Sequence, residues 1–239
     1  MTFISLRPQP AAVLPETPCN DFTLNRVLHP MDDPEWPKVT LATGLDKAEC
    51  WNRKFEGAKF QYPHIAKSVF LPEHSRAGVK GKTVLMPGGY EDPLAEVMWR
   101  HGALLTLVDP ALGQPSFHDW VVTYQDQMNG YFDLVLCASV LEHVKDDREF
   151  ITDIVDCLKP GGHAFLTTDF KEGWKAGDPL APTQERMYTK ASLMALTDTI
   201  DSEVKWCGER DWQSRGDYFP YAGLWFSFAS IAFKKRGGE

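Results

Sequence analysis

From Lys82 onward, short β-rich apolar runs alternate with longer amphipathic or polar segments, and this alternation narrows the fold more than any other feature. Such a chain builds a parallel sheet wrapped by helices, because each parallel strand needs a crossover connection and both sheet faces need cover. The runs are KTVLMP, ALLTLVDP, FDLVLCASV and HAFLTTDF; the third is apolar on both faces, as a buried parallel strand should be. Pro93 to His101 reads as a helix with Leu94, Val97 and Met98 on one face. A second helix is predicted from about Asp146 to Leu158, where Phe150, Ile151, Ile154, Val155 and Leu158 recur at helical spacing before Lys159, Pro160, Gly161 and Gly162 stop it. Thr189 is placed to cap a helix over KASLMALTD. Two late apolar runs, Val204 to Cys207 and Leu224 to Phe233, suggest an antiparallel pair closing the sheet edge.

Before Lys82 the pattern is irregular: prolines run up to Pro37, a helix is expected over Leu45 to Phe55, and Pro63 should end or bend what precedes it. The expected division is an extension over residues 1–78 packed on a core domain over residues 79–239. Hydrophobic residues at 43% and charged residues at 24% are enough for a sizeable core. The net charge of −8 argues against broad binding to nucleic acid, which needs a concentrated basic surface. Five cysteines lie far apart without a C-x-x-C pair, so neither a metal site nor a disulfide framework is expected. The first twenty residues hold no apolar stretch of signal or membrane-spanning length, which makes the cytoplasm the expected location and a membrane partner unexpected.

In open α/β sheets ligands bind beyond the carboxyl ends of the strands, so candidate site residues should follow the runs. Four places qualify. VLMPGGYEDPL leads into Gly88 and Gly89, where glycine lets a ligand approach the backbone or simply makes a tight turn. Asp109 ends the second run roughly 20 residues on, the spacing at which a carboxylate reaches a ribose hydroxyl pair. CASVLEHV brings Ser139, Glu142 and His143 to the same rim, and Asp169 ends HAFLTTDF.

FDLVLCASVLEHV, followed by a helix and LKPGGHAFLTTDF, resembles the carboxyl half of class I S-adenosylmethionine-dependent methyltransferases. The likeness is to the branch holding ubiquinone-biosynthesis O-methyltransferases and many small-molecule and sugar methyltransferases. RMYTKASLMAL is similar to a segment common in that branch, and the resemblance covers roughly Lys82 to Lys235. It implies a Rossmann-like, doubly wound, mostly parallel seven-stranded sheet with an antiparallel C-terminal strand, plus the N-terminal extension. It implies that Gly88 and Gly89 lie under the methionine part of S-adenosylmethionine, that Asp109 holds the ribose, and that Ala138 and Ser139 lie beside the cofactor. Asp119 with Trp120 would contact the adenine; Asp126 is an alternative, and the strand that should precede this contact is hard to place. The chain departs from the family's glycine loop: Met86 stands where an acid is expected, and Tyr90 and Asp92 occupy later glycine positions, so Glu91 or Asp92 must supply the carboxylate if the site works.

Methyl transfer from a sulfonium mainly needs alignment and exclusion of water; for a hydroxyl acceptor a base helps, and His143 is the first candidate, Asp169 the second. The expected partner is a small-molecule acceptor bound between the extension and the late insertion. There Trp174, Trp206, Trp212, Tyr218, Phe219 and Tyr221 could serve a ring, the core or a homodimer contact, and Arg186, Arg210 and Arg215 an anionic acceptor. Two competitors are a non-catalytic methyltransferase-like scaffold, prompted by the altered loop, and a nicotinamide-dependent oxidoreductase, opposed by the missing G-x-G-x-x-G.

Overall fold

The computed structural model describes residues 24–32, 34–70 and 78–237, so expectations for the first twenty-three residues lie outside it. Four parallel strands form one half of the sheet: β2 (Thr83–Pro87), β3 (Leu104–Val108), β4 (Phe132–Ala138) and β5 (Leu158–Phe170). The other half is built on β9 (Leu224–Lys235), antiparallel to β5 from His163↔Lys234 to Phe170↔Ser227. β1 (Asn25–Leu28) and β6 (Val204–Trp206) also pair antiparallel with β9, as does β8 (Phe219–Tyr221), while β7 (Arg210–Asp211) pairs with β1. The strand order is β3-β2-β4-β5-β9-β1-β7.

This mixed, doubly wound sheet is the predicted fold, with nine strands among the described residues rather than seven. β1, β7 and β8 are short additions, and no strand forms between β3 and β4, where a single helix, α5 (Phe117–Met128), makes the connection. β3 is therefore the sheet edge. β1 joins through Asn25, whose side-chain amide donates to the Ala232 carbonyl at 3.0 Å and accepts its N–H at 2.7 Å, mimicking a backbone unit of the ladder.

Alternation along β4 explains its unbroken apolarity. Val135 and Cys137 enter one core with α5, α6 (Asp147–Cys157) and α7 (Lys190–Thr197); Leu134, Leu136 and Ala138 enter the other. That second core holds α3 (Gln61–Phe70) and α4 (Pro93–Arg100), with α1 (Trp36–Thr43) and α2 (Glu56–Lys59) completing the N-terminal helices. The helix expected over Leu45 to Phe55 is instead two 3-10 turns, Leu45–Lys47 and Trp51–Arg53. Pro63 does not end a helix but sits in the first turn of α3, where an amide N–H has no intrahelical partner to lose. Among the described residues no helix is long and apolar enough to cross a membrane.

Candidate active site

Two adjoining clefts of about 430 and 670 Å3 open at the carboxyl ends of β2, β4 and β5 and share Gly88, Ser139 and His143. Their common floor is the β2–α4 loop. Gly88 has φ +65°, and a Cβ there would lie 2.3 Å from Val140 Cγ2, so both conformation and packing demand glycine. Gly89 is a packing glycine, since a Cβ would meet the Met86 carbonyl oxygen at 2.9 Å. The loop is tied to β3: Gly88 N–H donates to the Val108 carbonyl at 2.8 Å, and Tyr90 N–H to Asp109 Oδ2 at 3.1 Å. Asp109 Oδ1 accepts the Ala111 N–H at 2.8 Å. A carboxylate offers about four acceptor positions, so Asp109 keeps two for further donors.

The two acids of the altered loop point in different directions. Glu91 turns outward to Arg53, 2.9 Å away and about half exposed. Asp92 is buried in the smaller cleft and caps α4 by accepting the Leu94 N–H at 2.7 Å. Burial pushes its carboxyl up to about 6, against the opposing pull of the Leu94 N–H and of Lys54.

The smaller cleft also holds a buried acid pair. Glu142 is fully buried, with Oε2 accepting the Thr168 hydroxyl at 2.9 Å. Asp169, at the end of β5, accepts Gln184 Nε2. Burial and the neighbouring Glu142 push Asp169 well above the usual carboxylate range, and burial raises Glu142 as well. Glu142 Oε1 has no other donor, and its hydrogen bond with the Asp169 carboxyl needs a proton between the two acids. His143 stands beside them, its Nε2 4.0 Å from Glu142 Oε1. Its Nδ1 lies 2.9 Å from the Thr183 carbonyl oxygen; that acceptor requires Nδ1 to carry the proton, which leaves Nε2 as the free base nitrogen.

The chain spends backbone strain on this arrangement. Ser139 and Thr183 both adopt left-handed φ, +53° and +70°, and each touches the site. Ser139 N–H donates to the Thr167 carbonyl at 3.0 Å, and its hydroxyl to Gln61 Oε1 at 3.0 Å. The Thr183 loop is held by Glu185 N–H donating to the Glu142 carbonyl at 2.8 Å, and by Arg186, which pairs with Asp147 at 2.7 Å. Tyr188 donates to the same Asp147 at 2.8 Å, so the R-x-Y segment is a structural clamp on the site loop.

The larger cleft runs from Asp109 past Pro110 and Val140 to a far wall of Ser116, Phe117, His118 and Glu149. Asp119 and Trp120 are not in that wall. Asp119 accepts the Ser116 hydroxyl at 2.6 Å at the start of α5, and the Trp120 indole points into the core beside Phe117. With no strand preceding α5, its first turn delivers Ser116 to His118 to the cleft and rotates Trp120 inward. The expected aromatic and arginine clusters are also displaced. Trp212 and Phe219 are buried, Trp206 packs against Phe233, and Tyr221 alone of those six lines the cleft, stacked on Phe55 at 4.7 Å. Arg210 pairs with Asp198 and Arg215 with Asp32, and neither lines the clefts; Arg53 and Lys54 stand at the smaller one instead.

A family model described as a methyltransferase domain matches residues 62–219. The chain belongs to the class I S-adenosylmethionine-dependent methyltransferases. That membership sets aside the nicotinamide alternative. The chain is 36% identical over 133 residues to the ubiquinone biosynthesis O-methyltransferase of Pseudomonas paraeruginosa, covering 49% of this chain and 56% of that protein. It is 32% identical over 146 residues to the enzyme of the same name from Coxiella burnetii, covering 55% and 62%. The matches thus span little more than half the length of these curated relatives. Among solved structures it is similar to the 1,6-didemethyltoxoflavin-N1-methyltransferase of Burkholderia thailandensis, with TM-score 0.47, 16% identity, and coverage of 88% of this chain and 92% of that one. S-adenosylmethionine is the cofactor of this class, and the site's residues suit it. Gly88 leaves the loop floor bare, Asp109 keeps spare acceptor positions, and two clefts meet at Ser139.

Gln61, Thr183 and Gln184 also line the smaller cleft, outside every motif of the sequence. Gln61 comes from the N-terminal segment, 78 residues before the Ser139 it bonds, and no local pattern announces it.

Proposed function

We propose that this methyltransferase transfers a methyl group to an oxygen of a small-molecule acceptor, with His143 as the base. The observation that carries the proposal is the orientation of His143: Thr183 fixes Nδ1, and Nε2 is left free where the two clefts meet. The names of the two curated relatives support oxygen as the receiving atom. S-adenosylmethionine held there would supply an electrophilic methyl group on its sulfonium, and the bond from the acceptor oxygen to that carbon would form as the carbon–sulfur bond breaks, with the thioether S-adenosylhomocysteine as the leaving group. The larger cleft takes the nucleoside, with Asp109 on the ribose and Gly88 beneath the junction; Ala138 and Ser139 flank it. The smaller cleft takes the acceptor, with Asp92 offering its carboxylate to the cofactor's ammonium. His143 Nε2 accepts the acceptor's hydroxyl proton as the oxygen forms its bond to carbon. The buried Glu142 carboxyl stands with Oε1 4.0 Å from Nε2, on the side where the transferred proton places positive charge. Burial and the neighbouring Glu142 hold the Asp169 carboxyl well above the usual carboxylate range, which places it behind His143 rather than as the base.

The test is turnover across a panel of phenols, sugars and amines with S-adenosylhomocysteine as the measured product. His143→Ala is expected to lose about 100-fold or more in kcat while binding S-adenosylhomocysteine as before. Full activity of His143→Ala removes the base assignment; methylation of amines and never of hydroxyls removes oxygen as the receiving atom.

A further inference from the structure

The far wall of the larger cleft carries an ion network unlike any expected of it from the sequence. His118 Nδ1 lies 3.0 Å from Asp153 Oδ2, and its Nε2 lies 3.3 Å from Glu149 Oε1. Asp153 is nearly buried, whereas Glu149 is about half exposed and lines the cleft beside His118. A neutral imidazole has a single N–H and can satisfy one carboxylate; two carboxylates on opposite nitrogens call for the cation. The hydrogen bond that His118 donates to Asp153 is the main influence raising the His118 pKa, with Glu149 and Asp119 adding to it. The remaining charges facing this corner are Asp146, which caps α6 by accepting the Glu149 N–H at 3.0 Å, and Lys145.

The rest of the wall is apolar: Phe117, Phe150, Val140 and Val144 line it with Pro110. Phe117 and Phe150 meet edge to face, with ring centroids 5.1 Å apart, and close its end. Such a slot suits a flat heteroaromatic ring, and Glu149 is an acceptor at its polar margin.

Resting on the nucleoside placement proposed above, we propose that Glu149, clamped by His118 and Asp153, is the acceptor for the 6-amino group of adenine. α5 and α6 thereby build the adenine end that no strand between β3 and β4 is present to build. Glu149 Oε1 is engaged by His118, and Oε2 is left for the amino group. A 6-oxo base would oppose its carbonyl oxygen to this carboxylate and be rejected. When His118 loses its proton, the remaining N–H stays with Asp153, and an imidazole lone pair then faces Glu149 and releases the clamp.

Calorimetric titration of S-adenosylhomocysteine and S-inosylhomocysteine into the wild type, Glu149→Gln and His118→Gln tests this without turnover. The wild type is expected to prefer the adenine compound by about 10-fold or more. Glu149→Gln, whose amide can also donate to a 6-oxo group, should bring the two within about 3-fold. Affinity of the wild type for S-adenosylhomocysteine should fall as pH rises through the His118 titration, and that dependence should be absent in His118→Gln. An unchanged preference in Glu149→Gln overturns the assignment of Glu149 while leaving the nucleoside placement standing. Failure of the wild type to bind S-adenosylhomocysteine overturns both.

Discussion

The two halves of the cleft handle charge in opposite ways. In the smaller half Glu142, Asp169 and Asp92 are all buried, and burial raises the pKa of each. In the larger half the corresponding charges sit at the rim, with His118 and Glu149 each about two-fifths exposed. Buried charge is costly and persists where a reaction needs it, whereas rim charge is screened and gives direction to binding. On the function proposed above, the smaller half carries the chemistry and the larger half the recognition, with Asp92 the exception because it faces the cofactor's ammonium, and substitutions should separate kcat from affinity accordingly.

The largest effect should come from His143→Ala, about 100-fold or more in kcat with S-adenosylhomocysteine affinity held within about 2-fold. If affinity falls along with turnover, His143 belongs to recognition and the contrast breaks. Asp92→Asn should act next most strongly, and in two directions. Asparagine still caps α4, so the N-terminal hydrogen bond survives. Raising the Asp92 carboxyl to about 6 means the native state holds a proton the unfolded chain has released between roughly pH 4 and 6. Stability therefore falls as pH rises through that window, and above it the cost is about 3 kcal/mol. Asp92→Asn should recover much of this at pH 7 in chemical denaturation, while S-adenosylhomocysteine binds about 10-fold more weakly for want of the carboxylate. A variant that is more stable and binds equally well would take Asp92 out of the cofactor site.

Gly88→Ala is the third measure, and acts on the floor common to both halves. The left-handed φ of +65° and the 2.3 Å approach to Val140 together should cost about 2 kcal/mol or more of stability and weaken binding from either side. Thermal unfolding with and without S-adenosylhomocysteine reads both.

What the sequence made legible follows the same physical division. FDLVLCASV is readable because each of its faces enters a separate core, and the residues after it must then stand at the rim, which is where Ser139 and His143 are found. Asp109 is readable because it ends a strand. Trp120 is not, because an indole near the start of a helix carries no mark of which way that helix is rotated, and the rotation here depends on a strand that does not form. The pairing of Glu142 with Asp169 is set by the register of β4 against β5, which no local pattern encodes. Gln61 arrives from an N-terminal segment whose helix boundaries carry no clear local mark: Pro63 suggests an end or a bend, yet it stands in the first turn of α3. Local pattern reaches a strand and what directly follows it; contacts across the sheet are beyond it.

The smallest effect sharpens the recognition side. The His118 pKa is raised in the native state, chiefly by the hydrogen bond to Asp153, so its contribution to stability is complete below the ordinary histidine range and is lost as pH rises through the raised value. The side chain is two-fifths exposed, and solvent and salt screen the pair with Glu149, which limits the contribution to on the order of a few tenths of a kcal/mol. Denaturation of the wild type and His118→Gln at pH 5.5 and 8.5 should show a wild-type advantage at the lower pH that shrinks at the higher one and in high salt. An advantage that grows with pH would mean that Asp153 loses more by being left without its partner than the ion network contributes. His118 would then be a structural residue of α5, and the larger cleft would recognise its ring by shape alone.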